Sequence, residues 1–188
     1  MLFENMYYIG LYYRSMRVTV LDKCNIMRRT KVMATNKNVF VSHYGKDDEH
    51  IQKLKDLLST KGYVLKNSSI DGTKPNNASN DEYIKKLLRD RISWAGKFIC
   101  LIGPETHERE WVDWEIEQAH KQGKDIIGVY IQGASDCDVP ENFEKYGDAL
   151  VGWTSDKIIG ALEGKFVNFE NPDGTTRASK WKVGRGNC

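Results

Sequence analysis

The sequence predicts an α/β fold: a three-layer α/β/α sandwich built on a five-stranded parallel sheet. Three observations predict it. From Val39 onward, short continuous apolar runs recur, as expected of strands buried on both faces. Between them lie stretches whose apolar residues repeat at helical spacing. Strands and helices alternate one for one, so a helical crossover can join each strand to a parallel neighbour.

The elements follow in order. "NVFVS" is the first strand, and in "DDEHIQKLKDLLSTKG" Ile51, Leu54, Leu57 and Leu58 share one helical face, with Gly62 as the stop. Asp47 and Asp48 read as N-terminal caps of that helix. "YVLK" is the second strand. The polar loop "NSSIDGTKPNNASN" follows, and Ser79 with Glu82 forms a capping box for the helix "DEYIKKLLRDRI". "KFICLIG" is the third strand, a helix from the Thr106 region stops at Gly123, and "DIIGVYI" is the fourth strand. "ALVGW" is the fifth, and "SDKIIGALEG" is a last helix that buries Ile158, Ile159 and Leu162. The domain therefore spans 37–164, between a basic N-terminal extension at 1–36 and a basic C-terminal tail at 165–188. Since "MATNKNVFVSHY" begins at Met33 like a natural start, the stretch before it is expected to be dispensable or a mis-start.

Composition narrows the function classes. With 40% apolar and 11% aromatic residues in 188, the chain can fill one core. No apolar run approaches the roughly 20 residues needed to cross a bilayer, and no signal-peptide core is recognisable, so a cytoplasmic protein without a membrane partner is expected. Cys24, Cys100, Cys137 and Cys188 are widely spread, which suggests neither a zinc site nor a disulfide framework. The formal charge of +2 is uneven, since residues 1–36 carry six Lys or Arg against Glu4 and Asp22 while the middle of the chain is acidic. Basic ends without a basic domain are weak evidence for a nucleic-acid partner.

In such a sheet, ligands bind beyond the carboxyl ends of the strands where strand order reverses. That rule selects "SHYGKDD", the loop from Asn67 to Asn80, and "GPETHEREW". The third helix begins at this edge. Its apolar stripe is Val112, Ile116 and Ala119, and Glu115 falls on the border between that stripe and Trp111. A carboxylate there is expected to be partly desolvated without being sealed off, as suits a functional acid, although most helical glutamates simply face water. Other uses of the architecture lack their residues. A phosphate-receiving regulator needs an aspartate closing the third strand and a lysine closing the fifth, where Gly103 and Trp153 stand. "SHYGKDD" is too acidic for a flavin phosphate loop, and Gly45 alone is no dinucleotide fingerprint.

These residues carry a resemblance. "NVFVSHYGKDD" resembles the opening strand and acidic helix start of a Toll/interleukin-1 receptor (TIR) domain, which is flavodoxin-like; the loop at 67–80 occupies the place of the BB loop; and "FICLIGPETHEREWVDWE" looks like the strand, turn and W-x-x-x-E of TIR enzymes. "SSI" followed by "PNNA", and "YGDALVGW", are similar to the TIR-like proteins of the bacterial Thoeris anti-phage system.

The resemblance implies an enzyme that breaks the nicotinamide–ribose bond of NAD, with Glu115 as the catalytic carboxylate, NAD as substrate and no cofactor or metal. Trp111 can stack on a flat ring of the substrate or pack on the protein, whereas Trp114 reads as a packing residue. Ser42 and His43 can hydrogen-bond the ribose or diphosphate, though a histidine there can equally satisfy a backbone carbonyl. Ser69, Asp71, Asn76 and Asn77 offer donors and acceptors on the loop, where asparagines also serve as plain turn formers. The product is then a cyclic or rearranged ADP-ribose signal sensed by a separate effector, and self-association is expected to complete the site. The alternatives are an NAD-depleting hydrolase and a non-enzymatic adaptor acting by homotypic association.

Overall fold

The computed structural model describes residues 38–67 and 81–178. Among them seven strands form one sheet in the order β2-β1-β3-β4-β5-β6-β7. The strands are β1 (Asn38–Ser42), β2 (Val64–Asn67), β3 (Lys97–Ile102), β4 (Asp125–Tyr130), β5 (Ala149–Val151), β6 (Phe169–Glu170) and β7 (Thr176–Arg177). Neighbours are parallel from β2 through β6, and β7 alone runs antiparallel. The helices are α1 (Asp48–Ser59), α2 (Asp81–Trp94), α3 (Glu110–Lys121), α4 (Glu141–Tyr146) and α5 (Ser155–Leu162). None of the described helices is long and apolar enough to cross a membrane.

Period-two alternation along buried strands builds the layers. Val39, Val41, Ile99, Leu101, Ile127 and Val129 point to one face and pack under α1 and α5. Phe40, Phe98, Cys100, Ile102, Ile126 and Leu150 point to the other, under α2, α3 and α4. The expected glycine stops at Gly62 and Gly123 are real, and Gly164 follows the last helix in the same way, because all three have φ between 64° and 75°, where a side chain would be strained.

Two expectations change. The sheet does not end with five strands, because residues inside the supposed C-terminal tail add β6 and β7. Phe169 is buried and meets Phe143 of α4 with ring centroids 5.8 Å apart. Arg177 reaches across to the buried Glu144, and Lys157 of α5 holds Glu170 at 3.0 Å. Strands this short show no periodicity, so only the turn "NPDG", with Gly174 at φ 86°, could have announced the hairpin. The six-residue α4 escaped for the same reason, although its Phe143 fills the space over Gly128, where a Cβ would come within 2.5 Å of the ring.

The second change concerns the first helix. Asp47 occupies the N-cap position of α1 but makes no capping hydrogen bond and is buried. Asp48 pairs with His43 instead. The extension at 1–36, the start at Met33, the cap residue Ser79 and the chain beyond Ala178 lie outside the described residues.

Candidate active site

The strand order locates the site. The chain leaves β1 for β2 on one side and returns across β1 to β3 on the other, so strand order reverses between the carboxyl ends of β1 and β3. Ser42 closes β1 there, opposite Cys100 of β3 in the parallel register. Its side chain lies on the same face as Phe40, beneath α3. That helix is seated by Val112, Ile116 and Ala119, and α4 steadies it, since Asn142 donates from its backbone N–H to Asp113 Oδ1 and from Nδ2 to the Asp113 carbonyl, both at 3.2 Å.

With α3 so placed, Glu115 does not sit on a border. It is only 3% exposed, and the Ser42 hydroxyl, itself fully buried, donates to its Oε2. Burial pushes the Glu115 carboxyl up to about 8, against the opposing pull of the Ser42 hydrogen bond and the positive charge of Arg91. The expectation of partial desolvation is thus corrected. Helical periodicity reports the direction of a side chain, while its depth depends on what packs across the sheet. The same burial raises the Cys100 thiol well above its usual range, with the negative charge of Glu115 adding to the effect.

Trp111, one turn before Glu115, is 42% exposed, and its ring meets the edge of Trp114 at 5.8 Å and 75°. Lys85 and Arg89 of α2 each lie 6.0 Å from these rings, over Trp111 and Trp114 respectively. Trp114 is partly buried against the α2–α3 core, as a packing residue should be. His43 is buried, and its Nε2 lies 2.6 Å from Asp48 Oδ1, so a carboxylate rather than a carbonyl meets that nitrogen. Of the sequence-derived site residues, then, Ser42 and Glu115 are in direct contact, with Trp111 a turn away and His43 beside Ser42 at the end of β1. Ser69, Asp71, Asn76 and Asn77 lie outside the described residues. Among the described residues no group of three or more His, Cys, Asp or Glu is arranged to hold a metal ion.

Sequence reasoning missed Thr106 and misassigned Asp47. Thr106 is fully buried and accepts the Gly103 N–H at 2.9 Å. The Asp47 carboxylate lies against Gly103, where a Cβ would come within 2.8 Å of Oδ2. A threonine four residues past the end of a buried strand was the available signal.

The family model described as "Thoeris protein ThsB, TIR-like domain" matches residues 40–136, just over half of the chain and the span that holds Ser42, His43, Trp111 and Glu115. The chain belongs to this family. A comparison with curated proteins finds no match. Among solved structures, this ThsB-family chain is similar to a 2-deoxyribosyltransferase from Bacillus psychrosaccharolyticus, at 12% identity over 64% of this chain and 89% of that one with a TM-score of 0.52, a likeness of fold. A CMP N-glycosidase, BcmB, from Clostridium botulinum matches at 23% identity over 50% of this chain and 71% of its own, with a TM-score of 0.37. The TIR domains of the Roq1 resistosome match at 17% identity over 50% and 56%, with a TM-score of 0.39.

Proposed function

We propose that this ThsB-family protein cleaves the bond between nicotinamide and ribose in NAD and converts the remainder to a cyclic or rearranged ADP-ribose signal in anti-phage defence. The observation that carries the reading is the buried Glu115 carboxyl held by Ser42 at the switch point, one helical turn from the exposed Trp111.

The chemistry asks for little more. Hydrolysis of an ordinary glycoside employs two carboxylates, because an alkoxide leaving group needs a proton. Nicotinamide leaves from a cationic ring as a neutral molecule: the C–N bond breaks, its electron pair goes to the ring nitrogen, and an oxocarbenium-like ribose remains. One ionised carboxylate stabilises that cation through its charge and through hydrogen bonds to the ribose hydroxyls. Without substrate, a Glu115 carboxyl raised to about 8 by its burial is largely protonated at neutral pH. A cationic nicotinamide ring brought against it favours the ionised form, so substrate binding releases the proton. Trp111 covers the flat ring. Capture of the cation by one of the substrate's own hydroxyls gives a cyclic product and frees one proton.

Self-association belongs to the same reading. A second copy laid over the mouth beside Trp111 would exclude water that competes with the internal hydroxyl. A separate effector then senses the product. The test is chromatography of NAD incubated with purified protein over a range of protein concentrations. Release of nicotinamide with a product distinct from linear ADP-ribose, and specific activity that rises with concentration, is expected. Unchanged NAD at high protein concentration, under conditions where a known NAD-cleaving enzyme acts, overturns the reading.

A further inference from the structure

Helices α2 and α3 both start at the carboxyl edge of the sheet, because α2 leads from the end of β2 into β3 and α3 from the end of β3 into β4, all parallel strands. Lys85 and Arg89 stand one turn apart on α2, and Trp111 and Trp114 nearly one turn apart on α3. They meet as two rungs. Lys85 Nζ lies 6.0 Å from the centre of the Trp111 ring, and the Arg89 guanidinium carbon lies 6.0 Å from the centre of the Trp114 ring. Glu115, the next residue after Trp114, turns inward to Ser42.

Packing gives these two cations little reason to be there. A separation of about 6 Å is the outer limit of a cation–π contact, where the attraction is small at partly exposed sites, and the Lys85 and Arg89 side chains are 33% and 41% exposed. Their carboxylate neighbour is Glu82, 3.7 Å from Lys85 and 4.0 Å from Arg89, with a side chain that is 71% exposed. A solvated carboxylate at that range contributes little, and one carboxylate against two cations leaves a positive charge over. Lys85 also stands towards the N-terminal end of α2, the end at which the helix dipole disfavours a cation. The first turns of both helices are acidic, with Asp81 and Glu82 on α2 and Glu110 and Asp113 on α3. The helix ends therefore do not draw an anion, and the charge that can meet one is carried by Lys85 and Arg89.

We propose that Lys85 and Arg89 form a diphosphate subsite beside Trp111, which selects a phosphorylated nicotinamide nucleotide over the bare nucleoside. The proposal rests on the reading of Glu115 as the catalytic carboxylate and of Trp111 as the platform for the substrate's ring. The diphosphate hangs from C5′ of the same ribose whose C1′ is cleaved, so the anion stays within one sugar of the stacked ring, and Lys85 and Arg89 flank that platform on long, partly exposed side chains. Charge decides the selection. The nicotinamide ring is cationic, and without a phosphate it meets two like charges beside Trp111. A diphosphate takes the place of Glu82 and neutralises both, with Arg89 able to fork onto two phosphate oxygens and Lys85 acting as a point charge. No bond is made or broken there; the subsite decides which substrate is held.

The test compares NAD with nicotinamide riboside, which carries the same scissile bond and no phosphate, in the starting protein and in a variant with both Lys85→Gln and Arg89→Gln. The starting protein is expected to favour NAD in kcat/KM. In the folded double variant KM for NAD should rise about tenfold or more with kcat within about twofold, while KM for nicotinamide riboside stays level or falls. A loss of the same size for both substrates marks a structural role for the pair and overturns the proposal, as does an unchanged KM for NAD. If the double variant does not fold, the two single variants are measured against the same criteria. If the starting protein releases no nicotinamide, the functional reading has failed, and the subsite is then judged by calorimetric titration with ADP-ribose. Binding that weakens about tenfold or more in the double variant supports the subsite. Equal binding by both proteins, or no binding by the starting protein, overturns it.

Discussion

Ser42 and Glu115, 73 residues apart in the chain, meet through a hydrogen bond from the serine hydroxyl to the buried carboxyl. The bond joins the last residue of β1 to the second turn of α3, and it spans the point where strand order reverses. It also sets how readily Glu115 ionises, because a donor to a carboxylate favours its charged form.

The pH dependence of the reaction should report this. With the Glu115 carboxyl raised to about 8, kcat/KM for NAD is expected to rise with pH through an apparent pKa near that value, since the free enzyme must lose the proton to act. Ser42→Ala removes a contribution that lowers the pKa, so its profile should lie at higher pH. Rate measurements across about pH 6 to 10 check both statements. A flat profile through that range contradicts the assignment of Glu115.

Stability should carry the opposite trend. The folded Glu115 pKa of about 8 lies above its ordinary 4.5, so between those values the folded chain keeps a proton that the unfolded chain has lost. Its contribution is complete below 4.5 and is lost as pH rises towards 8. Glu115→Gln carries no such proton. Relative to the starting protein, the glutamine variant should therefore gain stability at about pH 9 and lose the advantage near pH 5, as read by denaturant unfolding at both. The same variant should release nicotinamide on the order of 10²-fold more slowly. Parallel stability curves for the two proteins would place Glu115 in a wetter environment than described.

Trp111 and Ile116 lie on one helix at opposite extremes of exposure, at 42% and 0%. Ile116→Ala should cost about 2–5 kcal/mol through the cavity it leaves. Trp111→Ala should barely change the unfolding midpoint but should raise KM for NAD several-fold, and Trp111→Phe should recover most of the loss. If Trp111→Ala instead destabilises like a core deletion with KM unchanged, the ring is packing and not a substrate platform.

The C-terminal hairpin should behave as part of the domain. Glu144 is 3% exposed and accepts from Arg177, so Arg177→Leu removes a charged partner of a buried carboxylate and should cost about 3–5 kcal/mol in urea unfolding. A chain ending at Gly164 also loses the Phe169 contact with Phe143 and should unfold far more readily. Full stability of that shortened chain would return residues 165–178 to the status of a tail.

Legibility followed length and periodicity. The third helix could be read because Val112, Ile116 and Ala119 repeat at its period, and β3 because "FICLI" is continuously apolar. Strands β6 and β7 have two residues each and a single buried ring between them, too little for any period to emerge. Asp47 was misread for a related reason: an acid before a helix is most simply a cap, and only the close approach of Gly103 shows that the side chain turns inward.

By itself the sequence determined that Trp111 and Glu115 stand one turn apart on a helix that starts at the carboxyl edge of a parallel sheet, because periodicity and strand–helix alternation are local properties of the chain. Only the tertiary structure decided that Glu115 is buried at 3% exposure, that Ser42 is its donor, and that Asp47 turns inward against Gly103. Those properties depend on desolvation and on contacts between segments far apart in sequence. A helical period fixes which way a side chain points, and the packing of β1, β3 and α3 fixes how much water it keeps.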